Sequence, residues 1–468
     1  MSSQHASAIT ARLDRLPLSR HIWILVALLS LGGWFELYDL LMTAYVSPGL
    51  IRAGIFSAKG GLFGLPDQAA FASVTFAGLF FGTILFAQVA DRFGRRAIFT
   101  FSLLWYAVAT GIMAAQSTRL GIDLWRFIAG VGVGVELVTI DAYLAELVPK
   151  AVRGRIFAVS QAIQFSSAPV AAGLAALLAD SAPLGLSSWR WIALVPAVGA
   201  VVVWFIRRAV PESPRWLAQH GRAAEAEAVI AHIEAQVAAD TGKPLPQPGP
   251  AREEHGGAGF AEIWHPPYRE RTVMLSVFNF FQTIGFYGFG NWVPALLVAQ
   301  GVTFAGGREY AAIIAIVYPI GPLVCSLFAD AIERKWQIVG AACGTAIFGL
   351  LFWRSGSTVP LLILFGILIT SSNNLLSYAY HAYQAELFPT RVRARAVGFV
   401  YSFSRLSTVF TSFMIGFFLQ NFGNGGVFGF IAFAMVVVMI SIGVFGPRTN
   451  GLALEEISAG DVQPAKAA

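Results

Sequence analysis

Ala145-Glu146-Leu147-Val148-Pro149-Lys150-Ala151-Val152-Arg153-Gly154-Arg155 returns 240 positions later as Ala385-Glu386-Leu387-Phe388-Pro389-Thr390-Arg391-Val392-Arg393-Ala394-Arg395, with seven of eleven residues identical. A second echo lies at offset 239, where Asp91, Arg95 and Arg96 correspond to Asp330, Arg334 and Lys335. Two echoes at nearly one spacing predict a chain built from two related halves, a recurring design of membrane carriers.

What surrounds the echoes is apolar. Hydrophobic residues make up 56% of the 468 positions and charged residues only 12%, about half the charged share of soluble domains. Crossing the hydrocarbon as a helix takes about 20 apolar residues. Twelve such runs are predicted, at 21–46, 69–90, 97–116, 121–147, 156–179, 189–206, 272–299, 310–331, 336–353, 359–385, 396–420 and 426–446. The expected fold is an all-α membrane protein of twelve transmembrane helices in two six-helix pseudo-repeats. The expected divisions are an N-terminal half at 1–206, a cytoplasmic linker with an amphipathic helix at 207–271, a C-terminal half at 272–446 and a cytoplasmic tail at 447–468. Glu225, Glu227 and Glu234 mark the linker helix, which the Pro-rich stretch from Lys243 to Pro250 follows.

Charge distribution sets the expected topology. With the N-terminus inside, cytoplasmic segments hold 24 of the 32 Lys and Arg residues and outer loops hold six, which predicts both termini in the cytoplasm of a bacterial-type inner membrane. The first apolar run continues past Glu36 and Asp39 to Tyr45 without a small-residue cleavage site, so it reads as a retained helix rather than a signal peptide. The net charge of +6 is spread over many short loops, so no nucleic-acid-binding face is expected. Cys325 and Cys343 fall in predicted helices and form no disulfide or metal pattern. No G-x-x-x-x-G-K-[ST] loop is found, so direct ATP drive, and with it any cofactor, is not expected. Gly130, Gly132 and Gly134 sit inside a membrane helix and read as a helix-packing surface.

Several motifs resemble the major facilitator superfamily. Ala87-Gln88-Val89-Ala90-Asp91-Arg92-Phe93-Gly94-Arg95-Arg96 is similar to its loop between helices two and three, with Ala87 in place of the usual Gly. Pro211-Glu212-Ser213-Pro214-Arg215-Trp216-Leu217 resembles the segment after helix six in sugar-porter-like members, and Pro447-Arg448-Thr449-Asn450-Gly451 resembles their C-terminal motif. The resemblance implies alternating access, with Asp91, Arg92, Arg95, Arg96, Glu136, Glu146, Arg153, Glu386 and Arg393 as gating charges. Glu146 with Arg153, and Glu386 with Arg393, are the expected pairs, because charge-assisted bonds at helix ends can latch one conformation. The simpler alternative is that these arginines anchor loops at an anionic leaflet.

The sugar-specific features are incomplete. Asp141 precedes Tyr143 where hexose carriers have a Pro, the helix-seven pattern survives only in part in Gln282-Thr283-Ile284-Gly285-Phe286-Tyr287, and the helix-ten Pro-Trp is missing. The set Arg126, Gly130, Gly134, Glu136, Tyr143, Glu146, Pro149, Arg153, Gly154 and the acidic, aromatic Trp34 to Asp39 stretch resemble metabolite:proton symporters and organic-anion carriers.

Ionisable side chains at membrane depth cost ~2.5 kcal/mol or more and are functional candidates by default. Glu36 and Asp39 share one face of helix one at i and i+3, Asp141 lies in helix four, and the duplication places His381 opposite it in register. These four are the expected proton-coupling groups. Candidate substrate ligands are Arg126, Gln161, Gln164, Gln282, Tyr287, Asn291, Asn373, Tyr378, Tyr380 and Arg405, the polar groups that a largely apolar cavity would need. Arg126 or Arg405 would meet a carboxylate in two-pronged fashion. Trp292 reads as an interfacial anchor. The sequence thus points to proton-coupled symport of a small organic anion by a monomer in the bilayer. A sugar or polyol carrier, a non-transporting sensor and an intramembrane enzyme are the alternatives. The enzyme is disfavoured because no nucleophile motif or metal cluster is visible.

Overall fold

A computed structural model describes residues 2–149, 152–178, 181–249, 260–328, 332–388 and 390–449, with no strand among them. Membrane helix one is Arg20–Arg52, two is Asp67–Phe93, three is Arg95–Ala115, four is Arg119–Leu147, and six is Ser188–Ala209. Helix five runs as Arg153–Phe165 and Ser167–Leu177, seven as Tyr268–Gly290 and Val293–Ala299, and eight as Phe304–Ala315 and Val317–Phe328. Nine is Arg334–Arg354 and ten is Val359–Glu386, while eleven and twelve form Thr390–Phe445, broken where Gly423 adopts a left-handed φ of 62°. Twelve membrane helices in two pseudo-repeats result, their ends close to those expected. Among the described residues, seven segments are individually long and apolar enough to cross a membrane, the last of them spanning helices eleven and twelve together.

The breaks have local causes. Proline lacks the N–H that closes the i to i−4 bond, and Pro169, Pro294 and Pro319 each lie just past a break. In helix eight, Pro322 leaves the Tyr318 carbonyl without its helical donor, and Asn374 Nδ2 of helix ten supplies one at 3.3 Å. In hydrocarbon an orphaned carbonyl would be costly, so such a replacement is needed.

The chain forms two compact units: Met1–Leu40 with Gly78–Ser167 and Ala193–His255, and Leu41–Ala77 with Ala168–Ile192 and Gly256–Ala468. In the first unit, helices two and four approach through glycine. A Cβ at Gly78, Gly82 or Gly134 would press on the carbonyl oxygens of Phe127, Val131 or Leu79 respectively. Small residues permitting backbone contact are how membrane helices associate without a hydrophobic drive between them. Gly82→Val is therefore expected to part these helices at a cost of about 1–3 kcal/mol, read as a lower melting temperature in detergent; an unchanged melting temperature would refute the close-packing account.

An N-terminal helix, Ser2–Asp14, was not expected from the sequence. Ile9, Leu13 and Leu16 are buried, and the helix packs on the linker helices Pro214–Gln219 and Ala223–Thr241. Arg12 bonds Glu234 at 2.6 Å and pairs with Glu227, Arg15 Nη1 donates to the Pro246 carbonyl at 2.7 Å, and Arg215 meets Asp14 at 3.0 Å. Burial alone would raise the Glu234 carboxyl, but hydrogen bonds from Arg12 and Arg15 outweigh it and hold the group below the usual carboxylate value. A depressed carboxylate stabilises the fold above its unfolded-state value, about 4.3, and that contribution disappears as the pH falls through the lower folded value. Hydrogen exchange over residues 2–16 should accordingly be slow at pH 7 and accelerate below about pH 4, whereas Arg12→Ala should already be fast at pH 7.

Candidate functional site

The first unit buries a charge pair. Asp39 of helix one and Arg126 of helix four are both fully enclosed, with Nη1 to Oδ2 at 2.7 Å. Arg126 Nη2 also donates to the Asp39 backbone carbonyl, and Thr110 of helix three donates to Oδ1 at 3.0 Å. Glu36, one turn away, is buried as well. On the same helix, Ser30 Oγ lies 2.8 Å from Ser160 Oγ, which accepts from Gln164 Nε2 at 3.1 Å. Trp34 Nε1 donates to Ser166 Oγ at 2.9 Å, at the break in helix five. Gln164 lies against Gly33, and Gln161 is half-buried. The side chains of Glu136 and Asp141 lie outside those described.

The second unit holds a buried cation in an aromatic setting. Arg405 of helix eleven is 3% exposed. Its Nη2 donates to the Tyr401 hydroxyl at 3.0 Å, its guanidinium lies 4.8 Å from the Tyr401 ring centre, and the Tyr287 phenol also reaches it. No carboxylate pairs with Arg405 among the described residues. His381 of helix ten stacks on Tyr380 with centroids 4.1 Å apart and meets Tyr401 at 5.7 Å, and its Nδ1 lies 2.7 Å from the Ser377 carbonyl. Tyr287 packs edge-on against Phe76 at 4.7 Å, and Tyr378 is half-buried.

The amides of this unit divide between two roles. Asn373 donates to the Gly285 carbonyl at 3.3 Å and accepts from Thr345 at 3.2 Å, linking helices seven, nine and ten. Asn291 sits at the helix-seven break with its side-chain oxygen and nitrogen both buried and without a hydrogen bond among the described residues, while its backbone carbonyl accepts from Gln68 at 3.1 Å. Gln282 is buried one helical stretch away. Trp292, expected at a lipid interface, is instead 1% exposed and lies in the break of helix seven between Gly290 and Val293.

The linker-side ends carry matching charge clusters. Arg95 pairs with Glu146 at 3.3 Å in the first unit, and Arg334 pairs with Glu386 at 2.9 Å in the second. The repeat-related Tyr143 and Tyr383 each donate to a proline carbonyl, of Pro211 and Pro447 respectively. Thr449 N donates to Glu333 at 2.9 Å. Glu212, which sequence reading did not single out within its motif, accepts from the backbone N–H groups of Arg95 and Arg96 at 3.0 and 3.2 Å. It thereby caps helix three, whose N-cap Gly94 offers no side chain, and a carboxylate is favoured at a helix N-terminus. The side chains of Asp91, Arg92, Arg153 and Arg393 lie outside those described.

A buried intramembrane ion pair, an arginine among tyrosines and twin charge clusters on twelve helices fit a solute carrier. The sequence matches the sugar (and other) transporter family over residues 25–460. The chain belongs to that family. It is a transporter of the major facilitator superfamily, multi-pass in the membrane, and not an enzyme. It is 34% identical over 448 residues to the putative metabolite transport protein YyaJ of Bacillus subtilis, covering 94% of this chain and 95% of that protein. The niacin transporter NiaP of Acinetobacter baylyi is 24% identical over 453 residues, covering 96% and 99%. The xylose transporter XylE from E. coli, solved in a partially occluded inward-open conformation, shares the fold at a TM-score of 0.75 and 19% identity, covering 93% of this chain and 100% of its own.

Removing the shared cap tests the role of Glu212 in this carrier. Glu212→Ala is expected to cost about 1–2 kcal/mol through the loss of the helix-three cap, seen as a lower melting temperature, with Glu212→Gln losing less because its oxygen still accepts; equal stability of all three proteins would remove Glu212 from the argument.

Proposed function

We propose that this protein is a proton-coupled symporter of a small organic carboxylate, working by alternating access. The observation that carries the reading is Arg405, buried among tyrosines with no acidic partner among the described residues. An unmatched guanidinium at membrane depth is costly, and a substrate carboxylate would match it with paired, planar hydrogen bonds. Arg126 is less suited to that task, because Asp39 already neutralises it. The tyrosine walls suit an aromatic or other flat acid. The niacin transporter and the cis,cis-muconate transport protein of Acinetobacter baylyi, both family relatives, have names that describe carriers of such acids.

Coupling is assigned to helix one. Asp39 and Glu36 are buried carboxylates one turn apart, and protonating Asp39 would dissolve its match with Arg126, changing which arrangement of helices one, three and four is favoured. The halves at 1–206 and 272–446 are the bodies proposed to rock. The linker side, which carries most of the Lys and Arg, is proposed to face the cytoplasm. Asp141 remains a further coupling candidate by its place in helix four.

Uptake of labelled carboxylates and sugars into proteoliposomes, with and without a pH gradient acid on the uptake side, tests this reading. Arg405→Ala should lower carboxylate uptake about 100-fold, as expected for loss of a buried charge partner, with partial recovery in Arg405→Lys. Asp39→Asn should abolish gradient-driven accumulation while sparing exchange of substrate for substrate. Sugar uptake indifferent to the gradient would replace this reading with facilitated sugar transport.

A further inference from the structure

His381 has a fixed hydrogen-bonding direction. Its Nδ1 lies 2.7 Å from the Ser377 carbonyl, and a carbonyl can only accept, so Nδ1 carries the proton. The neutral ring then has a lone pair on Nε2, which makes no hydrogen bond among the described residues. The ring cannot turn freely, because Tyr380 stacks on it at 4.1 Å with 28° between planes and Tyr401 closes on it at 5.7 Å. Tyr401 is also the phenol that bonds Arg405 at 3.0 Å. A cation and an oriented acceptor therefore flank one tyrosine, and His381 is half-buried.

We propose that His381 is a specificity-determining hydrogen-bond acceptor, favouring carboxylates that also carry a hydroxyl or N–H donor over otherwise identical acids that lack one. This rests on the reading of Arg405 as the carboxylate anchor. An acceptor desolvated by a bound ligand without a donor loses its hydrogen bond to water and gains nothing in return, which is how polar sites reject the missing group more strongly than apolar sites reject an added one. The role differs from proton relay, which would need the imidazole to gain and lose charge in each cycle.

Uptake of benzoate and of the three monohydroxybenzoates by the full-length protein in liposomes separates the possibilities. The wild type should favour at least one hydroxybenzoate over benzoate by about tenfold. In His381→Leu that preference should vanish, with benzoate uptake rising because no acceptor is left to desolvate, and in His381→Gln, whose side-chain oxygen can accept, it should largely persist with gradient-driven accumulation intact. A preference unchanged in His381→Leu would overturn the proposal while leaving the carboxylate reading in place. Equal loss of both substrates in His381→Leu would make the residue structural and overturn it. Loss of accumulation but not exchange in His381→Gln would make it a proton carrier instead. If the wild type takes up none of these acids, the carboxylate reading falls and the proposal with it.

Discussion

Charge buried in the hydrocarbon has to be matched, and the Asp39–Arg126 pair is where this chain meets that demand. Fully enclosed ions lose their hydration, and an apolar pair in their place would often be no less stable, so such a pair is poor evidence of stabilisation and better evidence of use. Its members are 87 residues apart and, with Thr110, tie helices one, three and four at one point. The rest of the polar interior follows from this match. With Arg126 neutralised by Asp39, Arg405 has no carboxylate partner among the described residues, and the two arginines cease to be equivalent.

The helices were legible in the sequence because each crossing must be long and apolar whatever its neighbours are, and the duplication was legible because it keeps register over 240 residues. The observed charge partners were not. Glu146 and Glu386 were expected to pair with Arg153 and Arg393, whose side chains lie outside those described, and the structure adds bonds to Arg95 and Arg334 at the starts of helices three and nine. Nothing local in the sequence encodes which neighbouring helix end a carboxylate will also reach. The N-terminal helix escaped notice for another reason: its apolar stripe of Ile9, Leu13 and Leu16 is short, and it is held by ion pairs to residues more than 200 positions away. Trp292 was misplaced because it lies in the two-residue break of helix seven, Asn291 and Trp292, just before Pro294, and is buried there, which no hydropathy pattern reveals.

The duplication is conserved unevenly within the molecule, and the unevenness is informative. At the linker-side ends the two repeats still build the same device: an acid on the arginine that begins helix three or helix nine, and a tyrosine donating to the carbonyl of the proline that follows the last helix of each half. At membrane depth the repeats have parted. The first carries carboxylates with an arginine to neutralise one of them, while the second carries an arginine among tyrosines and an imidazole whose register partner is Asp141. In the proposed symport mechanism, shared ends would let both halves latch and release alike. The divergent interiors would serve its two tasks, since a site proposed to exchange a proton needs a carboxylate whose match can be broken, and a site proposed to hold an anion needs a cation whose match comes from outside.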